Sequence, residues 1–344
     1  MERDLWSYLK NAEKPIVLYG MGNGADKIIS VLEQKGIPFK GVFASDGFVR
    51  QKIFHGFPVE HYGALKERFG DMIVLLCFGT HLPDVMANIK KIAEEQELYA
   101  PEVPVIGKGL FDKAYYLQNK TEFDKIYEIL ADEKSKQTFL NTIKYKISGK
   151  IDYLFDCETY PDEPYESFLK LEGHESFLDL GAYNGDTVLE FVSRCPDYER
   201  IIAAEPDIKT FRKLKINTAC LNNIKLLNCP VSDFRGKGSF SMKGGRNSVV
   251  GEGAETEFVT VDGILNGEKI TIIKMDVEGE EKRVILGAAD TILKHKPRLI
   301  VSAYHRTEDY LELVKEVLSI RDDYKVYMRR FPSLPAWDTV YYFV

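Results

Sequence analysis

Cysteine is sparse in this 344-residue chain: Cys77, Cys157, Cys195, Cys220 and Cys229 are scattered, odd in number and never at C-x-x-C spacing. That pattern excludes a disulfide framework and a cysteine-built zinc site, and the thiols are read as the reduced ones of a cytoplasmic protein. No apolar run approaches the roughly 18 residues that cross a bilayer, so no membrane span is expected. The opening M-E-R-D-L-W-S-Y-L-K is too charged for a signal peptide. Positive charge is not in excess either. The 46 lysines and arginines face 53 acids, a net charge of −7, which argues against a broad nucleic-acid footprint. At 44% hydrophobic and 29% charged the composition is that of an ordinary globular protein, and the length suggests two domains with ample core.

The dinucleotide spacing G-x-G-x-x-G is missing too, and that absence directs attention to what stands in its place. Ser176 to Thr187 reads S-F-L-D-L-G-A-Y-N-G-D-T: a short buried strand, a turn with Gly181 and Gly185, then a helix opening at Asp186-Thr187. A strand, glycine turn and helix start can present backbone N–H groups to a nucleotide. Here the strand tip carries an acid, Asp179, which would repel a pyrophosphate and suits a ligand with a cationic end. Twenty residues beyond Gly185, the strand R-I-I-A-A ends in Glu205, placed to accept hydrogen bonds from ribose hydroxyls. Together these groups suit S-adenosylmethionine; an NAD site and an empty Rossmann-like sheet stay open as alternatives.

In chain order, K-P-I-V-L-Y, F-K-G-V-F-A and D-M-I-V-L-L-C-F alternate with helical segments over residues 1–110. This predicts a parallel sheet in a small Rossmann-like domain of its own. Its turn G-M-G-N-G (Gly20, Gly22, Gly24), with Asp46 further on, leaves a nucleotide or sugar-nucleotide pocket and a purely structural domain as equal readings. His55, His61 and His81 are read as surface or capping groups. Residues 111–165 carry apolar positions at helical spacing and are read as a helical bridge. The proline-rich Y-P-D-E-P-Y then brings Tyr160 and Tyr165 towards the cofactor, or serves only as a rigid loop.

From residue 166 to 344 the alternation restarts as a seven-stranded α/β sheet with its last strand antiparallel. Its third strand is read as N-I-K-L-L-N-C-P-V, ending at Ser232-Asp233. Residues 234–262 are a β-hairpin insertion whose glycine-rich loop, with Arg246 and Asn247, is a candidate lid. The fourth strand runs into Asp276-Val277-Glu278-Gly279, where ligands bind in open α/β sheets, though both acids could instead cap the next helix. The fifth ends at His305, and a terminal hairpin closes the chain.

These residues resemble the FkbM family of methyltransferases. The marks, in family order, are F-L-D-L-G-A-Y-N-G-D-T, A-E-P-D, V-S-D-F, V-T-V-D-G, I-K-M-D-V-E-G-E-E, L-I-V-S-A-Y-H and Y-M-R-R ahead of D-T-V-Y-Y. Cys229-Pro230 departs from the small residues usual in members. The resemblance implies a class I methyltransferase domain, preceded by a smaller Rossmann-like domain, that methylates a hydroxyl of a sugar, glycan or related metabolite. It implies that Asp179, Gly181 and Gly185 hold the methionine end of S-adenosylmethionine, with Ala182, Tyr183, Asn184, Thr187 and Asp207 also at the cofactor. Glu205 would then bind the ribose, Ser232 and Asp233 would lie by the adenine, and Asp276 and Glu278 between donor and acceptor.

Methyl transfer is an in-line displacement that needs positioning above all, and a placed base adds roughly 10²–10⁴-fold. His305 is the first candidate for that base, because its ordinary pKa lies near neutrality; Asp276 is the second. Asp276 and Glu278 could take a divalent metal, but nothing outside the pair completes a ligand set, so no metal is expected. A non-catalytic donor- or nucleotide-sugar-binding module is the alternative, and an NAD enzyme working from the first glycine turn is a third reading. The partner is expected to be a small-molecule or glycan acceptor, with oligomeric state open and a homodimer one option.

Overall fold

Short apolar runs buried on both faces make the strands of two separate sheets. In a computed structural model that describes residues 2–49, 52–242, 248–250 and 254–344, the first sheet comprises β1 (Ile16–Tyr19), β2 (Gly41–Phe43), β3 (Ile53–Phe54), β4 (Phe57–Glu60), β5 (Ile73–Leu76) and β6 (Glu97–Tyr99). Their order is β3-β4-β2-β1-β5-β6, parallel apart from β3. Every residue of β1 and β5 is buried, as a parallel sheet covered on both faces requires. Leu18 and Leu75 meet Ile28, Leu32 and Val42 on one side, while Val17 and Val74 meet Leu65, Ile89 and Ile92 on the other. A methyl at Gly24 would sit 2.4 Å from the Cys77 carbonyl oxygen, so this glycine lets a helix press onto the exit of β5. Asp46 bonds His61 at 2.8 Å and Asp26 bonds His55 at 2.8 Å, both pairs exposed.

The helices Lys120–Ile129 and Glu133–Ser148 share one core with the second sheet: Phe123, Ile126, Phe139 and Ile143 pack among Val301, Tyr310 and Met328. Asp132 caps the longer helix by accepting from the Ser135 N–H. Its carboxylate also binds Arg329, a fully buried guanidinium that pairs with Glu163 as well, at 2.6 Å. Arg329→Lys keeps the charge but cannot reach Asp132, Glu163 and Ser135 together. It should lower stability by about 2 kcal/mol, read as an earlier urea midpoint; an unmoved midpoint would contradict this clamp.

The second sheet comprises β7 (Ser176–Leu180), β8 (Arg200–Ala204), β9 (Ile224–Leu227), then, after an insertion of β10 (Gly236–Met242), β11 (Ser248–Val250) and β12 (Ala254–Phe258), the strands β13 (Ile272–Met275), β14 (Arg298–Ser302), β15 (Val326–Arg330) and β16 (Thr339–Phe343). The seven strands run β15-β16-β14-β13-β7-β8-β9. Six run in one direction, and β16 is antiparallel to both neighbours, as the alternation and the terminal hairpin predicted. Two details differ. The third strand stops at Leu227, short of Pro230, which has no N–H for a ladder. The insertion is three-stranded, in the order β11-β10-β12, rather than a simple hairpin. Arg246 and Asn247 lie outside the described residues.

The two sheets meet above the second one's strand tips. Ile106 N–H donates to the His305 carbonyl at 2.8 Å, Thr307 Oγ1 to the Gly109 carbonyl at 2.7 Å, and Thr80 exchanges two backbone hydrogen bonds with Leu334. Among the described residues no helix is long and apolar enough to cross a membrane.

Candidate active site

Strand order reverses between β7 and β13, and a crevice is expected at such a switch point. A cavity of about 950 Å³ opens there, lined by Gly181, Glu205, Lys274, Asp276, Glu278 and Tyr304 among others.

Asp179 and Lys274 are paired across β7 and β13 by strand register. The lysine Nζ stands 3.4 Å from Asp179 Oδ1. Asp179 is fully buried, and its Oδ2 has no hydrogen-bond partner. Burial pushes the Asp179 carboxyl up, against the pull of Lys274. For Lys274 burial acts against the charge, but Asp179 and Asp276 outweigh it and hold the ammonium protonated. This lysine was not singled out in the sequence, although one cation in the apolar run I-T-I-I-K-M was its signal.

The glycine turn is built as expected, with its members in different roles. Gly181, Tyr183 and Thr187 line the cavity. Ala182 is buried, Gly185 starts the helix Asp186–Arg194 with φ of 89°, and the Asn184 carbonyl accepts from Asn217 Nδ2. Glu205 lines the cavity with both oxygens ordered: Oε2 accepts from Tyr183 N–H at 3.0 Å and Oε1 from Asp207 N–H at 2.8 Å. Burial raises its pKa to about 7, the two backbone bonds only partly opposing the shift. Asp207 also lines the cavity, and its carboxylate caps the helix Ile208–Asn217 through Thr210 N–H.

Ser232 and Asp233 follow the end of β9 and do not line the cavity: Ser232 is fully buried and Asp233 pairs with Arg283 at 2.7 Å. The cavity wall there is Cys229, Pro230 and Val231 instead. Tyr165 reaches the cavity, whereas Tyr160 is exposed and bonds Glu166. His81, which the sequence offered as a surface group, lines the cavity from the side of the first sheet, together with Asp338 and Phe331 from the β15–β16 hairpin.

At the far end, Asp276 accepts a hydrogen bond from the Tyr304 hydroxyl at 3.2 Å. Burial works to raise its pKa, but Lys274 and His305 keep it below the usual carboxylate range. Glu278 follows with φ of 53°, which turns the chain back across the cavity mouth. His305 is fully buried beneath this pair rather than lining the cavity. Its Nδ1 is 3.0 Å from Glu281 Oε1, and its Nε2 is 3.6 Å from both Asp276 Oδ1 and Glu278 Oε2. Burial alone would favour the neutral ring, yet Glu281, Asp276 and Glu278 push the pKa up to about 10. Because His305 does not line the cavity, this arrangement does not make it the free base expected from its position in the sequence. Glu281 is fully buried and held by the Val277 and Gly279 N–H groups; the repeated acids of D-V-E-G-E-E were its only signal.

A seven-stranded sheet with an antiparallel seventh strand and a cavity at its switch point defines a class I methyltransferase fold. Residues 179–325 match the methyltransferase FkbM domain. Over its length the chain is similar to methyltransferase FkbM from Methylobacillus flagellatus KT, with a TM-score of 0.75, 21% identity and coverage of 96% of this chain and 90% of that one. Weaker, partial likenesses include precorrin-6y C5,15-methyltransferase from Geobacter metallireducens GS-15, at 15% identity, TM-score 0.34 and coverage of 51% of this chain and 80% of that one. Aeropyrum pernix fibrillarin stands at 12% identity, TM-score 0.34 and coverage of 50% and 67%. No curated protein matches the chain. Residues 179–325 are thus similar to the methyltransferase FkbM domain, and the chain shares its fold with a methyltransferase FkbM of known structure.

Proposed function

We propose that the protein transfers a methyl group from S-adenosylmethionine to a hydroxyl of a sugar, glycan or related metabolite. The observation that carries this is the pairing of Glu205 with the buried Asp179 around one glycine turn. A carboxylate held open by two backbone N–H groups suits ribose hydroxyls, and the unpartnered Asp179 Oδ2 suits an ammonium. Gly181, Tyr183 and Thr187 would border the methionine end, Asp207 the ribose, and Cys229 to Val231 the adenine. Bound there, the donor supplies an electrophilic methyl group.

The chain's own part is to hold the acceptor oxygen in line and receive its proton. Asp276 is assigned that proton: its carboxylate faces the cavity, and Tyr304 fixes its orientation. As the new carbon–oxygen bond forms, the hydroxyl proton passes to Asp276 and then to solvent. His305 acts beneath it as a positioning residue. Phe331, Tyr165 and Tyr342 wall the cavity with apolar surface that limits water. Residues 1–110 are read as a separate unit that closes the acceptor side through His81, while the helices of 111–165 belong to the methyltransferase core.

Calorimetric titration with S-adenosylmethionine, NAD and nucleotide sugars tests the donor, followed by turnover on a panel of sugars. Binding of NAD in place of S-adenosylmethionine would overturn the reading. Donor affinity should also depend on pH. Ribose hydroxyls donate to the ionised form of Glu205, so a proton on that group opposes binding. Affinity should therefore fall as pH drops through about 7, approaching tenfold per pH unit below it. Glu205→Gln should bind weakly and without that slope; a slope that survives the substitution would assign it to another group.

A further inference from the structure

Beneath the acceptor end lies a cluster of which the methyl-transfer reading uses only Asp276 and, to position it, His305. Oxygen and nitrogen atoms of Asp276, Glu281 and His305 all lie within 4.8 Å of one another. His305 Nε2 is 3.6 Å from Asp276 Oδ1 and 3.6 Å from Glu278 Oε2. That is too long for a hydrogen bond, and Nε2 of this fully buried residue makes none among the described residues. It is a natural spacing for two ligands of one ion. A metal about 2.1 Å from each of two atoms 3.6 Å apart would see them at roughly 120°, close to the angle of a tetrahedral site.

On the opposite ring edge, Nδ1 is 3.0 Å from Glu281 Oε1, and that oxygen is itself fixed by the Val277 and Gly279 N–H groups. A carboxylate on the far nitrogen holds one proton on Nδ1 and aims Nε2 at the acids, where an ion would take the place of the second proton, the arrangement that orients metal-bound histidines.

We propose that Asp276, Glu278 and His305 form a site for one divalent transition-metal ion, with Glu281 orienting the histidine. One imidazole and two carboxylates favour Mn²⁺, Fe²⁺ or Zn²⁺ over Mg²⁺ and Ca²⁺, which prefer oxygen alone. Because Asp276 and Glu278 line the cavity, further coordination positions face the acceptor side, where an ion would bind a hydroxyl oxygen and make its proton easier to lose. What the ion does rests on the methyl-transfer reading; whether it binds does not.

The test is metal binding by the full chain after EDTA treatment and dialysis. MnCl₂ is titrated while free Mn²⁺ is followed by electron paramagnetic resonance, and ZnCl₂ is titrated by calorimetry. One ion per chain is expected. His305→Ala and Glu278→Gln should each weaken binding at least tenfold, and Glu281→Gln by about 10–100-fold. Glu278 is partly exposed, so its variant should fold even if His305→Ala does not, and circular dichroism establishes folding in each case. No saturable binding by the wild type, or equal binding by folded Glu278→Gln, would overturn the proposal. Donor titration of the same samples separates the two readings. Ion binding without donor binding would overturn methyl transfer and leave the metal site standing, and donor binding without ion binding would do the reverse.

Discussion

Alanine at position 181 should cost on the order of 4 kcal/mol of stability and remove donor binding from whatever protein remains folded. Gly181 has φ of 80°, and a methyl added there would lie 1.9 Å from the Asp276 carbonyl oxygen. That oxygen belongs to backbone, which cannot swing aside as a side chain would. Asp276 N–H donates to the Leu180 carbonyl at 2.9 Å, and Gly181 N–H donates to the Ala204 carbonyl at 3.0 Å, so the turn is clamped between β13 and β8. The positive φ adds strain of its own for any side chain. Gly63→Ala is the control: this helical glycine has nothing within 4 Å of the added methyl and should be neutral or slightly stabilised. Urea unfolding of both variants measures the difference. A Gly181→Ala midpoint equal to that of Gly63→Ala would show that β7 and β13 can part at their tips.

Lys274→Met should lower stability by about 3–5 kcal/mol, because it leaves the fully buried Asp179 carboxylate without its cation. The group can escape only by taking up a proton, so the loss should be smaller in acid and larger at neutral pH. The double variant Asp179→Asn with Lys274→Met removes both charges and should regain most of the loss, since a buried ion pair is worth little beyond the penalty of breaking it. The recovered protein should still fail to bind S-adenosylmethionine if Asp179 receives the donor's ammonium. Melting curves give the first comparison and calorimetry the second. A double variant no more stable than Lys274→Met would mean that the lysine acts by packing its stem rather than by pairing.

Both effects arise at one strand crossing, and that explains which parts of this protein were legible in advance. Local features were readable. The strand F-L-D-L, the turn G-A-Y-N-G-D and the acid of A-E-P-D lie next to one another along the chain, and each obeys short-range rules of burial, turn geometry and strand-tip chemistry. The end of β9 was misjudged because C-P-V continues the apolar run, while the missing proline N–H decides the ladder.

The sequence by itself therefore determined the seven-strand alternation, the glycine turn with Asp179, Gly181 and Glu205 around it, and the acids of D-V-E-G-E-E at a strand tip. Only the tertiary structure decided what faces them. Strand order sets Lys274 against Asp179 across a gap of 95 residues, and the return of the chain sinks His305 under Asp276 and Glu278. The meeting of the two sheets sends His81, from the first, into a cavity at the strand tips of the second. The physical reason is range: burial periodicity and turn chemistry act between neighbours along the chain. Ion pairs and cavity walls depend on which strands lie side by side, and that is settled only when the whole sheet buries its apolar faces at once.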